Sequence, residues 1–517
     1  MLPEHTRKVF TTLEDDPFLT HRDLTLHLLD LYFAHFNNAT YCLYPRHHFL
    51  EWLETSRDKC QNERMVLYAM LAMGSVYADE SVAGFGKQCA RTAMDAQYSQ
   101  VGRMNMCMVQ SKILLGLYSF ARGDYTAAWE ISGSAIRAAT YLRLHTEGGC
   151  LDSSASAGLP RFEFSLSGTQ LAECKRRTFW SVFFMDRLSQ APMIVLKPED
   201  VFVRLPCTEE MYERSIPSEA PFLNNNIIDP VKALLTPASP LAPMAWHALV
   251  AAVWGDVLDF IARAPHRAEL SYRESYEAFY VDISNRLHGW LTRLPDHLQY
   301  TETNLARAIQ HGYAGTYVSM HALYHLSSMK LNRCLRHAWA PDAIKRNIRA
   351  AHEHGHHMLQ IMRGLQVARR DIVPPGISGQ KGDDYTFSTP FVGYATLAAV
   401  DIVSAGAPDS QLATTLDEIR SGLSGLQELS RFWNAAKNQF RACETRFYQI
   451  QNILTNPARA RSGAWLGREW GLEKSLDSEC GTEDDCIYGL GDNTGYFDAF
   501  KDDGEHAKAA TGGLRIA

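Results

Sequence analysis

The sequence is short of the features that mark secreted, membrane and disulfide-bonded proteins. No two of its eleven cysteines are spaced as CxxC, and the first of them is Cys42. Residues 1–18 are charged and lack the apolar core of a signal peptide. The longest apolar windows, near 241–260 and 391–407, contain aspartates, which predicts core helices and not membrane spans. We expect an intracellular protein with reduced thiols and no membrane partner.

Basic charge is also scarce. The 517 residues carry a formal charge of −7, from 51 Lys and Arg against 58 Asp and Glu. A free-standing nucleic-acid-binding domain usually carries a basic face, so this balance argues against DNA binding by the chain alone. Hydrophobic residues make up 46% and charged residues 21%, which is typical of a soluble globular protein. The length allows two helical lobes, or one lobe with tails.

Motifs that bind phosphates or activate nucleophiles are missing as well. The sequence has no Gly-rich loop after a strand and no GxSxG nucleophile elbow. The acidic pairs Asp15-Asp16 and Asp383-Asp384 are similar to the metal-binding carboxylates of helical terpenoid synthases. That chemistry needs a third carboxylate one helical turn further on, where this sequence has Leu and Phe. Both pairs therefore fail as metal–diphosphate sites.

One enzymatic motif is present, an HExxH sequence that begins at His352. On a helix His352 and His356 lie one turn apart and are spaced to share a zinc ion, with Glu353 as general base. The Gly and His that extend the motif in metzincins are replaced by Leu and Met, and the next glutamate, Glu418, lies beyond a long loop. Surface histidines on an amphipathic helix explain the motif more simply. We assign no catalytic residue and no metal ligand, and keep a helical metal-dependent hydrolase as an alternative.

Apolar residues recur at helical spacing along most of the chain, and no useful length alternates as a β-strand does. The predicted fold class is all-α, with many helices joined by long irregular loops. Gly123, between two helical patterns, predicts an antiparallel hairpin over 106–142. Exposed or irregular loops are predicted at 148–168, 206–243 and 371–390, and the longest single helices at 306–338, 341–367 and 410–454.

The C-terminal tail differs from the rest of the chain in composition. From Glu473 to Glu505 it carries eleven acidic residues against two lysines, interleaved with aromatic residues such as Tyr488 and Phe497. This composition predicts a disordered, solvated segment; an activation segment that docks into a coactivator groove is the alternative. We divide the chain into an N-terminal segment, 1–20, a helical domain, 21–456, with two lobes that divide near 207–243, and a disordered acidic tail, 457–517.

The most informative run, 173–187, has charges at both ends and aromatic side chains in the middle. On a helix its apolar residues cover nearly the whole circumference, which predicts a helix buried between others. Glu173 and Arg177 are spaced to pair, and Asp186 and Arg187 need partners elsewhere because unpaired buried charge is costly. An exposed basic patch at 175–177 that binds nucleic acid is the alternative, but the surrounding aromatic residues argue against exposure.

This run resembles the signature of the fungal-specific transcription factor domain, the middle homology region of fungal zinc-cluster regulators. The resemblance extends over about 24–454, and Arg143 and Ala191 stand where the family usually has Gly. Further similar motifs lie at 128–145, 200–206 and 290–295. The signature residues are Glu173, Arg176, Arg177, Phe179, Trp180, Asp186 and Arg187.

The resemblance implies a nuclear regulator of RNA polymerase II transcription that is not an enzyme. It also implies gating by a small-molecule effector. We expect the pocket between helices around Trp129, Arg137, Trp180 and Phe184.

Family members usually begin with six cysteines that hold two zinc ions and form a DNA-reading module, whereas no cysteine precedes Cys42 here. We therefore expect no zinc cofactor in this chain, and DNA contact only through a missing module or a partner protein. The resemblance also implies coactivators that bind 473–505 and a second copy of the chain in a dimer. A DNA-binding-deficient interaction protein is the remaining alternative.

Overall fold

A computed structural model describes residues 13 and 15–455, apart from 38, 152–162, 189–193, 224–240, 267, 334–343, 373–388 and 407–411. Within these ranges the chain forms eighteen α-helices, with short 3-10 segments and one π-helical turn, and no strand beyond isolated bridges. The predicted all-α fold class is confirmed. The tail 457–517, with its acidic segment 473–505, and the pair at 383–384 lie outside the described residues.

The described residues form two compact units, and the first contains those up to Ala252 together with 308–317. Its central helix, α9, packs against α6, α7, α8 and α10, and every residue from Gln170 to Arg187 is buried. A π-helical turn, Tyr32–Asn37, follows α2 directly. The helices α1–α10 are Pro17–Thr20, Arg22–Leu31, Arg46–Thr55, Gln61–Gly74, Ala83–Ser99, Met106–Arg122, Tyr125–Tyr141, Glu147–Leu151, Gly168–Leu188 and Glu209–Glu213.

The predicted hairpin is formed by α6 and α7, and local capping defines its ends. The side chain of Asn105 accepts a hydrogen bond from the Met108 N–H at 2.9 Å, which caps the start of α6. Gly123 ends α6 with a φ of 85°, a left-handed conformation that costs glycine little. Asp124 then caps α7 by accepting from the Ala127 N–H at 3.1 Å. The prediction of a hairpin is confirmed.

The predicted exposed loop at 148–168 is wrong at Phe164, which is completely buried. The Phe164 ring lies 4.9 Å from the Trp52 ring and 5.1 Å from the Tyr44 ring, between centroids. Its N–H donates to Oε1 of Glu63 at 2.9 Å. One aromatic residue inserted from a polar stretch leaves no periodic pattern, so the sequence did not indicate it.

The second unit contains 253–307, 318–372 and 389–455. The chain enters it within α11, leaves it within α13 and re-enters it within α14. In this unit α15, α16 and α17 pack against one another, and α18 packs against α16 and α17. The helices α11–α18 are Pro243–Arg263, Glu269–Arg293, Glu302–Gln310, Ala314–Arg333, Ile344–Ile372, Pro390–Gly406, Leu412–Leu429 and Asn434–Thr455.

Two of the predicted long helices are each two helices. The predicted helix 306–338 is α13 and α14, with a break at Gly312, whose φ is 75°. The predicted helix 410–454 is α17 and α18, joined by a short turn that includes the buried Trp433. Apolar residues continue across both breaks, so the periodicity of the sequence concealed them.

By length and composition, α11 would pass for a membrane span, with a mean hydropathy of 1.3 over its most apolar window. However, 72% of that window is buried inside the protein, as in the core helix of a soluble protein. Near its C-terminal end, Asp256 forms an ion pair of 2.7 Å with Arg286. A paired aspartate of this kind fits the predicted core helix.

Candidate functional site

The candidate site is the signature helix α9 with the segments that its charged side chains hold. Arg177 and Arg187 are among the largest fully buried side chains of the described chain. An isolated buried guanidinium would cost several kcal/mol or more, so each must be paired and hydrogen-bonded. The contacts of these side chains therefore show what the signature does.

The first half of the site is built around Glu173. Its carboxylate accepts from Arg177 Nε at 3.0 Å and from Arg176 Nη1 at 3.1 Å, in the i,i+4 and i,i+3 spacings. It also accepts from the backbone N–H of Cys207 at 3.0 Å. The predicted pairing of Glu173 with Arg177 is confirmed, and the same carboxylate also binds the chain 34 residues further on.

Arg177 connects α9 to two other segments. Its Nη2 donates to the carbonyl of Cys207 at 2.6 Å, and its Nη1 donates to the carbonyl of Cys42 at 3.4 Å and to Glu209 at the same distance. The guanidinium also lies 4.7 Å from the centroid of the Tyr212 ring. Burial lowers the pKa of this guanidinium, but Glu209 and Glu173 outweigh burial and raise the pKa overall. Arg177 is therefore a permanently charged cross-link.

Arg176 points to a different partner, Glu147 at the start of α8. Its Nε lies 3.2 Å from both carboxylate oxygens of Glu147. Glu147 in turn accepts from the backbone N–H of Arg204 at 3.2 Å. The sequence offers no signal for Glu147, because it lies 29 residues from Arg176 in a stretch without helical periodicity.

The second half of the site holds the segment that follows the helix. Asp186 accepts from the N–H groups of Leu196 at 2.8 Å and Val195 at 3.2 Å. Arg187 donates to the carbonyl of Leu196 at 2.6 Å and lies 3.4 Å from the centroid of the Phe183 ring. Burial raises the pKa of the Asp186 carboxyl, although Arg187 and the two N–H groups oppose that rise. The expected partners of Asp186 and Arg187 are thus backbone groups as well as each other.

The aromatic middle of the helix also makes one hydrogen bond to the backbone of another segment. Trp180 is completely buried, and its Nε1–H donates to the carbonyl of Arg204 at 2.9 Å. Its ring meets the rings of Phe179 and Phe183 edge-on, with centroids 5.4 Å and 5.0 Å apart. Together with Glu173 and Arg177, the indole fixes the segment 204–207 along α9.

The opening segment 41–44 is attached to the same helix through groups that the sequence did not indicate. Gln110 of α6 accepts from the Tyr44 hydroxyl at 2.6 Å and donates to Thr178 Oγ1 at 3.0 Å. Asn37 accepts from the Leu43 and Tyr44 N–H groups at 3.0 and 3.1 Å. Both side chains are buried, and an amide hidden in a helical pattern has no spacing that would single it out.

This arrangement is suited to holding structure and not to chemistry. The carboxylates and guanidiniums of the signature are engaged with one another and with backbone groups. A general acid, base or nucleophile must instead have a group available to a substrate. The buried position of 175–177 also excludes the exposed basic patch.

The four residues expected to line an effector pocket fall into two environments. Trp180 and Phe184 are completely buried, whereas Trp129 has 51% of its surface exposed and Arg137 is exposed. The Phe184 ring stacks on the ring of His247, with 4.6 Å between centroids. The effector pocket stays a prediction.

The HExxH sequence lies in α15, where His352 and His356 have ring centroids 5.9 Å apart. Glu353 is exposed, while His356 Nδ1 lies 2.8 Å from Oε2 of Glu418. The loop that separates Glu418 in sequence therefore does not keep it away in space. Nevertheless, the described residues contain no group of three side chains placed to hold a metal ion.

The sequence similarities of the chain are to fungal transcriptional regulators. A profile of the fungal specific transcription factor domain matches residues 29–300. The chain is similar to an uncharacterized transcriptional regulatory protein of Schizosaccharomyces pombe, with 26% identity over 60% of this chain and 32% of that protein.

It is also similar to a Zn(2)-C6 fungal-type transcription factor of Fusarium oxysporum, with 19% identity over 74% of this chain and 42% of that protein. An activatory protein of Saccharomyces cerevisiae is 22% identical over 61% of this chain and 48% of its own length. The matched regions thus cover about a third to a half of these relatives, and no solved structure matches the chain. Since the profile covers more than half of the chain, the protein belongs to the fungal-specific transcription factor domain family.

Proposed function

We propose that this chain is the regulatory domain of a nuclear, zinc-cluster-type regulator of RNA polymerase II transcription, and that it catalyses no reaction of its own. The observation that carries the proposal is the profile match over 29–300. Within that range the charged signature side chains form ion pairs and hydrogen bonds to the backbone. The relatives named as a transcription factor and an activatory protein support the same role. DNA contact comes from a zinc-cluster module or a partner protein.

The acidic segment 473–505 is the proposed contact with coactivators. Its eleven acidic residues and interleaved aromatic residues are of the kind that dock into coactivator grooves. The helical domain then has the task of controlling when this segment acts.

A reporter assay tests both parts of the proposal. Residues 1–517, 1–456 and 457–517 are each fused to the same heterologous DNA-binding module in a fungal host, with expression matched by immunoblot. We expect output from 457–517, no output from 1–456, and a different, regulated output from the full chain. Equal output from 457–517 and 1–517 would contradict a regulatory domain, and no output from either would contradict an activation segment.

Localisation is tested separately, because regulation and nuclear entry can fail independently. The chain fused to a fluorescent protein is imaged in fungal cells beside a nuclear marker. We expect nuclear accumulation, alone or with a co-expressed zinc-cluster partner. Fluorescence that stays outside the nucleus under both conditions would contradict the proposed place of action.

Effector binding beside Phe184 completes the proposal. His247 is completely buried against Phe184, and neither of its ring nitrogens has a hydrogen-bond partner among the described residues. Burial lowers the pKa of His247 to about 3, so the ring is neutral and offers one donor and one acceptor. An uncharged ligand that presents one acceptor and one donor would satisfy both nitrogens.

A thermal-shift screen with small aromatic and polar metabolites tests this part. A compound that raises the melting temperature of the wild-type chain, but not of His247→Leu, supports the site. A compound that stabilises both proteins equally binds elsewhere, and it would contradict a role for His247.

A further inference from the structure

One face of α7 carries a row of residues that the first unit leaves without partners. Trp129, Gly133, Arg137 and Tyr141 follow one another at intervals of four, so they form a single ridge along the helix. Trp129 is 51% exposed and Tyr141 73% exposed, and Gly133 and Arg137 are also exposed. Two large aromatic residues exposed on the same helix face are a feature of interaction surfaces.

No ring contact or ion pair links the side chains in this row to the rest of the described protein. The rings of Trp129 and Tyr141 have no aromatic partner, and the Arg137 guanidinium has no ion pair, among the residues that the structure describes. At Gly133, a Cβ built on the backbone would meet nothing within 4 Å. The row therefore combines an open backbone position with aromatic and cationic side chains on either side.

We propose that this face of α7 pairs with the same face of a second copy of the chain, around a two-fold axis at Gly133. Trp129 and Arg137 lie four residues before and four residues after Gly133. When two such helices run antiparallel across the axis, Trp129 of each copy meets Arg137 of the other, which gives two cation–π contacts. Gly133 allows the two backbones to approach closely at the crossing.

The charges on this face are complementary in the same arrangement. Glu130 is exposed one residue from Trp129, and in the antiparallel pair it lies beside Arg137 of the second copy. Within one copy, Glu130 and Arg137 are seven residues apart, about two helical turns, which is too far for a direct ion pair. Within one copy Glu130 already interacts with Lys112. A second copy gives Glu130 a further cation and gives Arg137 an anion, whereas an unrelated partner would need to supply its own matching charges.

The size of the face sets the strength of the pairing. Stable interfaces bury about 800 Å² on each partner, and one helix face offers less than that. We therefore expect a dimer that dissociates on dilution. This inference goes beyond the proposed transcriptional role and does not depend on it.

Sedimentation velocity over a concentration series tests the pairing with the full chain. The wild type is expected to shift from monomer to dimer as concentration rises. Arg137→Glu places a carboxylate beside Glu130 of the second copy and is expected to raise the dissociation constant by more than about tenfold. Gly133→Leu separates the backbones and is expected to do the same.

Two controls distinguish the interface from misfolding and from net charge. The double variant Glu130→Arg with Arg137→Glu restores opposite charges across the axis and is expected to recover the dimer, which a folding defect would not allow. Arg91→Glu makes the same charge change on an exposed position of α5 and is expected to leave the dimer intact. A wild type that is monomeric at every concentration, or a double variant no better than Arg137→Glu, would overturn the proposal.

Discussion

At the scale of single residues, the signature helix depends on carboxylates that each serve several partners. Glu173 joins two guanidiniums of its own helix and the N–H of Cys207, with 2% of its side chain exposed. Replacement of such an ion cluster by apolar residues can be neutral, but removal of one member leaves the others charged and buried. We therefore expect a single substitution in the cluster to lower stability more than replacement of the whole cluster would.

Glu173→Gln is expected to lower the free energy of unfolding by about 3–5 kcal/mol, because Arg177 would remain buried with less compensating charge. Urea denaturation followed by circular dichroism measures the change. The matched control is Glu51→Gln on the exposed face of α3, which should change stability by less than about 0.5 kcal/mol. A loss of under about 1 kcal/mol in Glu173→Gln would mean that Glu173 is not the centre of the cluster.

At the scale of elements, the same helix orders irregular chain that could not hold itself in place. The N–H groups of Val195 and Leu196 both bond to Asp186, in a segment with no regular structure of its own. A hydrogen bond to a charged acceptor contributes about 1.5–3 kcal/mol. The position of this segment is thus decided by side chains of α9.

Asp186→Asn is expected to speed amide hydrogen exchange at Val195 and Leu196 by about tenfold or more, since the charged acceptor is lost. Exchange followed by mass spectrometry on peptides that cover 194–207 measures the effect. Asp124→Asn changes the cap of α7 but keeps a good capping residue, so it should leave the 194–207 peptides unchanged. Equal protection in Asp186→Asn and the wild type would show that other contacts hold the segment.

A second element-scale feature is the end of α7, where Arg143 has a φ of 55°. This left-handed conformation is strained for a residue with a Cβ, and it explains why the family usually has Gly there. Arg143→Gly is expected to stabilise the protein by about 1 kcal/mol. By contrast Arg137→Gly, in the interior of α7, should destabilise the protein by about 1 kcal/mol. Urea denaturation measures both, and the same sign for both variants would contradict the argument.

What the sequence could predict follows from how far each feature reaches along the chain. The hairpin at Gly123 and the Glu173–Arg177 pair lie within a few residues, so propensity and helical spacing were enough. Glu147 lies 29 residues from its partner Arg176, and Gln110 lies 64 residues from its partner Cys174. The sequence around Glu147 and Gln110 contains no pattern that indicates either contact. Long-range partners of this kind are fixed by packing, which a periodic pattern does not contain.

Packing also decides two features that the sequence alone could not show, the role of Gly355 in the histidine motif and the burial of the pocket residues. Gly355 inside the HExxH run looks like a helix-weakening residue, but a Cβ there would lie 3.0 Å from Cγ2 of Val403, so glycine allows α16 to pack against α15. Trp129 and Trp180 both belong to family motifs, and only the fold reveals that one is exposed and the other buried. Residue type alone does not decide burial for a Trp.

At the scale of the whole molecule, buried neutral histidines tie stability to pH. Burial lowers the pKa of His321, His352 and His354 to about 4 and that of His247 to about 3. In the unfolded chain a histidine titrates near about 6.5. As pH falls below that value, the unfolded chain takes up protons that the folded protein does not, so the folded protein loses stability. The contribution is complete above about pH 6.5 and is lost progressively toward about pH 4.

His247→Leu isolates one of these groups, because leucine keeps an apolar contact with Phe184 and cannot take up a proton. Between about pH 6.5 and about pH 4, the free energy of unfolding of the wild type should fall more steeply than that of the variant, by up to about 1.4 kcal/mol per pH unit. Urea denaturation of both proteins over this range measures the difference, and carboxylates cancel because both proteins share them. Above about pH 7 the two curves should run parallel. Parallel curves over the entire range would mean that His247 is protonated equally in the folded and unfolded states, and so is not held neutral by burial.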